Sequence, residues 1–341
     1  MKKKFIHSVI TTIVLVYIII LSGSIVRVTG SGMGCPDWPK CFGYYIPPTS
    51  IEQITWRENT SFKKGNVIIK DKKLYVSNRD FISKENYSHE NWSVYTKHNY
   101  TKFNAKHTWI EYINRLFGML AGISTLIMFV LSFFQKKKIM IFLCLLSVIL
   151  LGFQAWLGAV VVYSVLAPIK ISIHMIAALV ILSLYLYILH LSVDKKTIIK
   201  YDRGFHMGII VITILLIMQI IFGIQLREFV DKQMKLYEYS NREMWLLNPN
   251  IWFYIHRSFS LIFIPILVWI YIKNRTLQNK NIQIVSGLII LEIITGIITY
   301  MFDFPILSQP LHLLLATVIF GYLFYELLNY NRVKNNENAI V

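Results

Sequence analysis

Charge is scarce in this 341-residue chain: 16% of residues are Asp, Glu, Lys or Arg, while 55% are apolar. A soluble domain carries nearer a quarter charged residues, so a polytopic membrane protein is the first reading. Acids are scarcer still, 18 against 35 Lys and Arg. In an apolar chain that excess argues for anchoring at the cytoplasmic face of a lipid bilayer, and no nucleic-acid partner is expected. Cysteine is nearly absent. Cys35 and Cys41 flank a short Pro-rich loop, and Cys144 stands alone in an apolar segment, where burial is expected. No convincing small-residue cleavage site follows the start Met1-Lys2-Lys3-Lys4, and the apolar run to Val26 is long enough to span. It reads as a retained first helix rather than a secretory signal. No mitochondrial transit pattern precedes it, which favours a bacterial cytoplasmic membrane.

What the chain does have is eight segments near the roughly 20 apolar residues that cross a bilayer core. They lie near 5–26, 109–134, 139–162, 167–190, 207–227, 251–272, 281–301 and 306–328. Lys2 to Lys4, Lys136 to Lys138, Lys195, Lys196, Lys200, Arg203, Lys273, Arg275, Lys280, Arg332 and Lys334 all fall on one side. The short opposite loops, 163–168 and 302–305, hold no Lys or Arg, and acids balance 228–250. Both termini are therefore expected in the cytoplasm. The first outer loop, 28–108, is far longer than the others. Within it Asn66 to Lys70 and Leu74 to Ser77 flank Asp71-Lys72-Lys73, which predicts a hairpin in a small folded ectodomain or a lid.

An internal repeat organises the rest. Tyr254-Ile255-His256-Arg257 echoes Tyr112-Ile113-Asn114-Arg115, each opening an apolar segment. Gln154, Gly158 and His174 echo Glu292, Gly296 and His312, with sixteen residues from glycine to histidine in both. Gly23 to Arg27 at the end of the first segment matches Gly223 to Arg227 at the end of the fifth. Four helices separate the copies, so both have the same orientation. The expected fold is all-α: two pseudo-symmetric four-helix bundles, one within 1–190 (with the loop) and one within 191–341.

His256, His312, His174, Asn114 and Glu111 all fall near the outer ends of their helices. A lone membrane histidine could simply bond a neighbouring carbonyl. At matching depth, however, His256 and His312 can face each other across the second bundle, as axial ligation of a haem iron needs. Zinc is less attractive, since no further ligand appears at metal spacing. Arg115 and Arg257 follow the ligand positions, and Arg27 and Arg227 end helices on the same outer side. Snorkelling to lipid headgroups is the plain reading. Haem propionates would give them planar anionic partners. The first bundle differs: Asn114 stands where the second has His256, and Glu111 where it has Phe253. Glu111 is either a solvated glutamate suiting the helix dipole or a general base or electrostatic stabiliser beside a bound macrocycle. A permanent cofactor suits two ligands; a substrate that enters and leaves suits fewer. The pair Cys35 and Cys41 is read as a structural disulfide, with a redox-active one as the alternative.

The run RVTGSGMGCPDWPKC at 27–41 closely resembles the haem A synthase family, and Glu111 to Arg115, His174, His256-Arg257 and His312 follow in the family's order. The resemblance spans the eight helices; residues 45–105 look unfamiliar. It implies haem b on His256 and His312. It implies that the first bundle takes haem o and oxidises its C8 methyl to formyl by two hydroxylations and loss of water. It matches Glu111 to the catalytic glutamate and Cys35 and Cys41 to a disulfide pair with a proposed redox role. It also implies partners: the farnesyltransferase that makes haem o (haem o synthase) and the cytochrome oxidase that receives haem a. The departure is Asn114, commonly a histidine. Either His174 ligates alone, which is favoured, or His107 substitutes, or activity is lost. Competing classes are a b-type electron-transfer protein, whose dihaem form is disfavoured by Asn114 and whose monohaem form stays open, and a transporter with a parallel repeat, disfavoured by polar groups at one face. Oligomeric state, a homo-oligomer included, and the electron acceptor stay open.

Overall fold

The computed structural model describes residues 1–100, 102–193 and 202–338, with side chains through 330. Lys195, Lys196 and Lys200, counted above toward orientation, lie outside the described residues, as do the side chains of Arg332 and Lys334. Among the described residues eight helices are long and apolar enough to cross a membrane: α1 Lys2–Val28, α2 Ala105–Ser132, α3 Lys138–Tyr163, α4 Pro168–Ser192, α5 Arg203–Leu236, α6 Ile251–Leu277, α7 Lys280–Met301 and α8 Ser308–Asn338. The chain is a mostly helical, multi-pass membrane protein. Helices are what a bilayer allows, because each satisfies its own backbone where no water can.

Start signals are local. Asn104 accepts from the amides of Lys106 and His107, Asp202 from Phe205, and Asn279 from Asn281 and Ile282, while Pro168 opens α4. Two bounds depart from the sequence expectation. α5 runs to Leu236 rather than 227, because the (i, i+4) pairs Arg227–Asp231 and Glu228–Lys232 carry the helix past its apolar segment. α6 is interrupted by a 3₁₀ turn at Ser260–Ile262. Pro265 supplies no amide for Leu261 and its ring crowds that carbonyl.

Packing closes two rings. α1 meets α2, α2 meets α3, α3 meets α4, and α4 returns to α1; α5 to α8 repeat the same four contacts. The rings meet where α8 touches α1 and α4, and where α4 touches α5. Small and hydroxylic residues of α2 (Ala121, Ser124, Thr125) are buried while Ile123, Leu126 and Ile127 point outward. Thr12 and Ser124 share a 2.7 Å hydrogen bond between α1 and α2, and Thr125 reaches Tyr185 of α4 at 2.7 Å. Each such bond contributes about 0.6 kcal/mol in a membrane.

The hairpin forms as expected, β2 Val67–Lys70 against β3 Lys73–Ser77, with Asp71 and Lys72 at φ 49° and 56° in the tight turn. The loop holds more than the hairpin. β5 Trp92–Val94 adds to β3, and β1 Ser61–Phe62 pairs β4 Phe81–Ile82. Two- and three-residue strands are too short to show alternation in sequence. One sheet face buries Val67 and Leu74 with Phe42 and Ile54; the other buries Ile68 with Phe62 and Trp92. With a core on each face, this segment is a small folded module.

Candidate functional site

The helices alternate in direction, so the starts of α2, α4, α6 and α8 share the side that bears the β-module. There the second ring brings His256 and His312 together, their ring centres 6.2 Å apart and their planes at 78°. A metal–imidazole bond of roughly 2 Å on each side, with roughly 1 Å more from nitrogen to ring centre, gives about 6 Å. The pair therefore fits one iron held between two imidazoles. Among the described residues no group of three His, Cys, Asp or Glu side chains is placed to hold a metal ion.

His256, His312, His174 and Asn114 each face a glycine on a neighbouring helix. A Cβ on Gly223 of α5 would stand 3.0 Å from His256 Cε1, and one on Gly296 of α7 would stand 3.2 Å from His312 Cε1. In the first ring the equivalent distances are looser, 3.6 Å from Gly158 to His174 Cε1 and 3.6 Å from Gly23 to Asn114 Oδ1. One turn before two of these glycines, amides brace the histidine backbone: Gln154 Nε2 donates to His174 O at 2.9 Å and Gln219 Nε2 to His256 O at 3.0 Å. On α7 that position is Glu292, whose Oε1 lies 3.2 Å from His312 Nδ1. The sequence repeat is thus a repeat of ring and cradle.

Asn114 takes a hydrogen bond from Ser22 at 2.7 Å, an amide where the second ring has an imidazole. α2 begins at Ala105, so His107 lies on a continuous helix two turns and about 10 Å from Asn114. It does not reach the vacated position.

Glu111 is 4% exposed and ties α2 to the cysteine loop. It accepts from Cys35 N at 2.9 Å and pairs with Arg115. Arg115 in turn donates to Asp37 O at 2.8 Å and Lys40 O at 2.9 Å, while Thr108 donates to Gly34 O at 2.8 Å. Gly34 presses on His107, where a Cβ would come within 2.6 Å of backbone. Cys35 and Cys41 form a disulfide, both fully buried under the β-module. Asp37 accepts from Phe42 N and Gly43 N. Burial nevertheless raises its carboxyl above the ordinary value, against the opposing pull of Gly43 N–H, Arg115 and Phe42 N–H. Cys144 is buried as expected.

Three of the four arginines meet protein carboxylates. Arg115 meets Glu111. Arg27 of α1 and Arg227 of α5 converge on Asp231, Arg27 Nε at 2.8 Å and Arg227 Nε at 2.9 Å. Arg27 also reaches the sulfur of Met175, next to His174. Arg257 lies 5.4 Å from the Phe253 ring and 5.9 Å from Tyr254, with no carboxylate partner among the described residues. Asp231 was missed from sequence, where it counted only as a balancing acid. Its (i, i+4) spacing from Arg227 was the available signal.

The sequence profile of the COX15-CtaA family, cytochrome oxidase assembly protein, matches residues 7–89 and 73–324. The chain is 25% identical over 248 residues to a heme A synthase of Wolbachia pipientis wMel, covering 64% of this chain and 69% of that protein. It is 25% identical to a heme A synthase of Orientia tsutsugamushi (strain Ikeda), covering 92% of this chain and 93% of that protein. A third such enzyme, from Shewanella oneidensis, is 25% identical over 57% of this chain and 47% of its own length. With a family profile matched along most of its length, the chain belongs to the COX15-CtaA family of cytochrome oxidase assembly proteins.

Proposed function

We propose that this protein is a haem A synthase, an oxidoreductase that converts the C8 methyl of haem o to a formyl group by two successive hydroxylations and loss of water. The observation that carries the reading is the asymmetry of the two rings. One presents two imidazoles at iron-spanning distance; the other presents one imidazole, an amide and a buried carboxylate.

In this reading residues 191–341 hold haem b on His256 and His312, and haem b supplies one-electron redox chemistry there. Residues 1–190 bind haem o. His174 takes its iron from one side, and Asn114 leaves the opposite side open, as a substrate that must leave requires. Glu111 is paired with Arg115 and aimed by Cys35 N–H, so its carboxyl group is the one that accepts a proton at the reacting edge. Arg257, free of carboxylates among the described residues, is the arginine placed for a propionate. Arg27, Arg115 and Arg227 shape the pocket through Asp231 and Glu111. The buried disulfide fixes the loop that orients Glu111. The termini lie at the cytoplasmic face of a bacterial cytoplasmic membrane. The farnesyltransferase that makes haem o supplies the substrate, and cytochrome oxidase receives the product.

Glu111→Gln tests the assignment, because Gln keeps hydrogen-bonding capacity at the loop where Ala would strand Arg115. In cells that make haem o, haem o should accumulate while the purified variant retains haem b. Haem a production at the wild-type level would contradict a catalytic role.

A further inference from the structure

The three histidines differ in what their second ring nitrogen meets. Nδ1 of His174 and Nδ1 of His256 are buried without a hydrogen-bond partner among the described residues. Nδ1 of His312 faces three acceptors, all on α7: Thr295 Oγ1 at 3.0 Å, Glu292 O at 3.1 Å and Glu292 Oε1 at 3.2 Å. The Thr295 hydroxyl donates its own proton to Glu292 O at 2.9 Å, which leaves its lone pairs for the ring. Three acceptors around Nδ1 hold the proton there and leave Nε2 as the lone-pair nitrogen.

Glu292 also breaks the repeat. At the equivalent position, one turn before the cradle glycine, α3 has Gln154 and α5 has Gln219, both neutral and both spent on backbone carbonyls. The side chain of Glu292 is 16% exposed, and its other oxygen, Oε2, has no partner among the described residues. The carboxylate is committed to His312.

We infer that Glu292 is a positioning residue that tunes the iron ligand His312: by accepting a hydrogen bond from Nδ1–H it orients the ring, strengthens Nε2 as a donor and shifts the bound haem toward its ferric state. The inference rests on the reading that His256 and His312 ligate haem. A carboxylate behind a metal-bound imidazole raises the ligand's basicity, and second-shell hydrogen bonding is a recognised lever on haem potential. The affected couple is ferric haem plus one electron giving ferrous haem, with no bond made or broken and no proton moved. A haem poised toward ferric gives up its electron more readily.

The test is a spectroelectrochemical titration of the purified holoprotein with Glu292→Gln, the residue this chain itself uses at 154 and 219. The ferric–ferrous balance should move at least tenfold toward ferrous, about 59 mV for one electron, with haem b content and the low-spin spectrum retained. Glu292→Asp keeps the carboxyl group and should stay nearer the wild-type potential than the Gln variant. An unchanged potential in Glu292→Gln, or equal shifts in Gln and Asp, overturns the tuning role. His312→Ala separates this from the underlying reading: loss of haem b leaves ligation standing, whereas full haem b with an unaltered spectrum removes the ligand assignment itself.

Discussion

Gly223 is where the haem-binding account is most exposed to a single methyl group. Gly→Ala inside a helix ordinarily stabilises by roughly 0.5–1 kcal/mol. A Cβ at 223 would, however, stand 3.0 Å from His256 Cε1, against an optimal carbon–carbon separation of about 3.5–4.0 Å. The ring must therefore yield by about 0.5 Å, well beyond the ~0.2 Å tolerance of a metal–ligand distance. Gly158→Ala meets His174 at an ordinary 3.6 Å and serves as the matched control in the other ring. Gly223→Ala should lower the low-spin haem b content of the purified protein, and Gly223→Leu should abolish it. Gly296→Ala, at 3.2 Å, should fall between Gly223→Ala and the control. Haem is quantified from the absorption spectrum of the pyridine complex, and thermal unfolding in detergent monitors the fold. Full low-spin haem b in Gly223→Leu, or equal loss in Gly158→Ala, would refute the cradle.

Asp231→Ala leaves the buried guanidinium groups of Arg27 and Arg227 without their shared carboxylate and should cost about 3–5 kcal/mol, read as an earlier unfolding midpoint; an unchanged midpoint would show that the two rings do not depend on this bridge. Asp37 gives a pH signature. Its folded carboxyl lies above its ordinary value, so folding takes up a proton there. Its contribution is full below the ordinary carboxylate range and is lost as pH rises through the raised folded value. Unfolding midpoints measured from acid to neutral pH should carry that slope in the wild type and lose it in Asp37→Asn; parallel curves would contradict it.

The helices and the repeat were legible because both are written in short range. Twenty apolar residues specify a span, and the Gly-to-His spacing of sixteen specifies which helix ends meet. The hairpin was legible from the two short runs, Asn66 to Lys70 and Leu74 to Ser77, that flank Asp71-Lys72-Lys73. What escaped was written in contacts between distant segments. Arg27 meets Asp231 across 204 positions, and Cys35 meets Glu111 across 76. From sequence, Arg115 looked outward to a propionate, because its carboxylate partner one turn away carried a catalytic expectation of its own. The strands around Phe62 and Phe81 are two residues each and leave no periodic trace. Asn114 was visible as a departure, and the early start of α2 excludes His107 as its replacement.

The most direct measurement is identification, by mass and reduced spectrum, of the haems extracted from the purified protein after expression beside a haem o source. Haem b together with haem a or its hydroxylated precursor is the predicted result, and it would show that one axial histidine suffices for the substrate. Haem b alone, with haem o left unconverted in the membranes, would contradict the account.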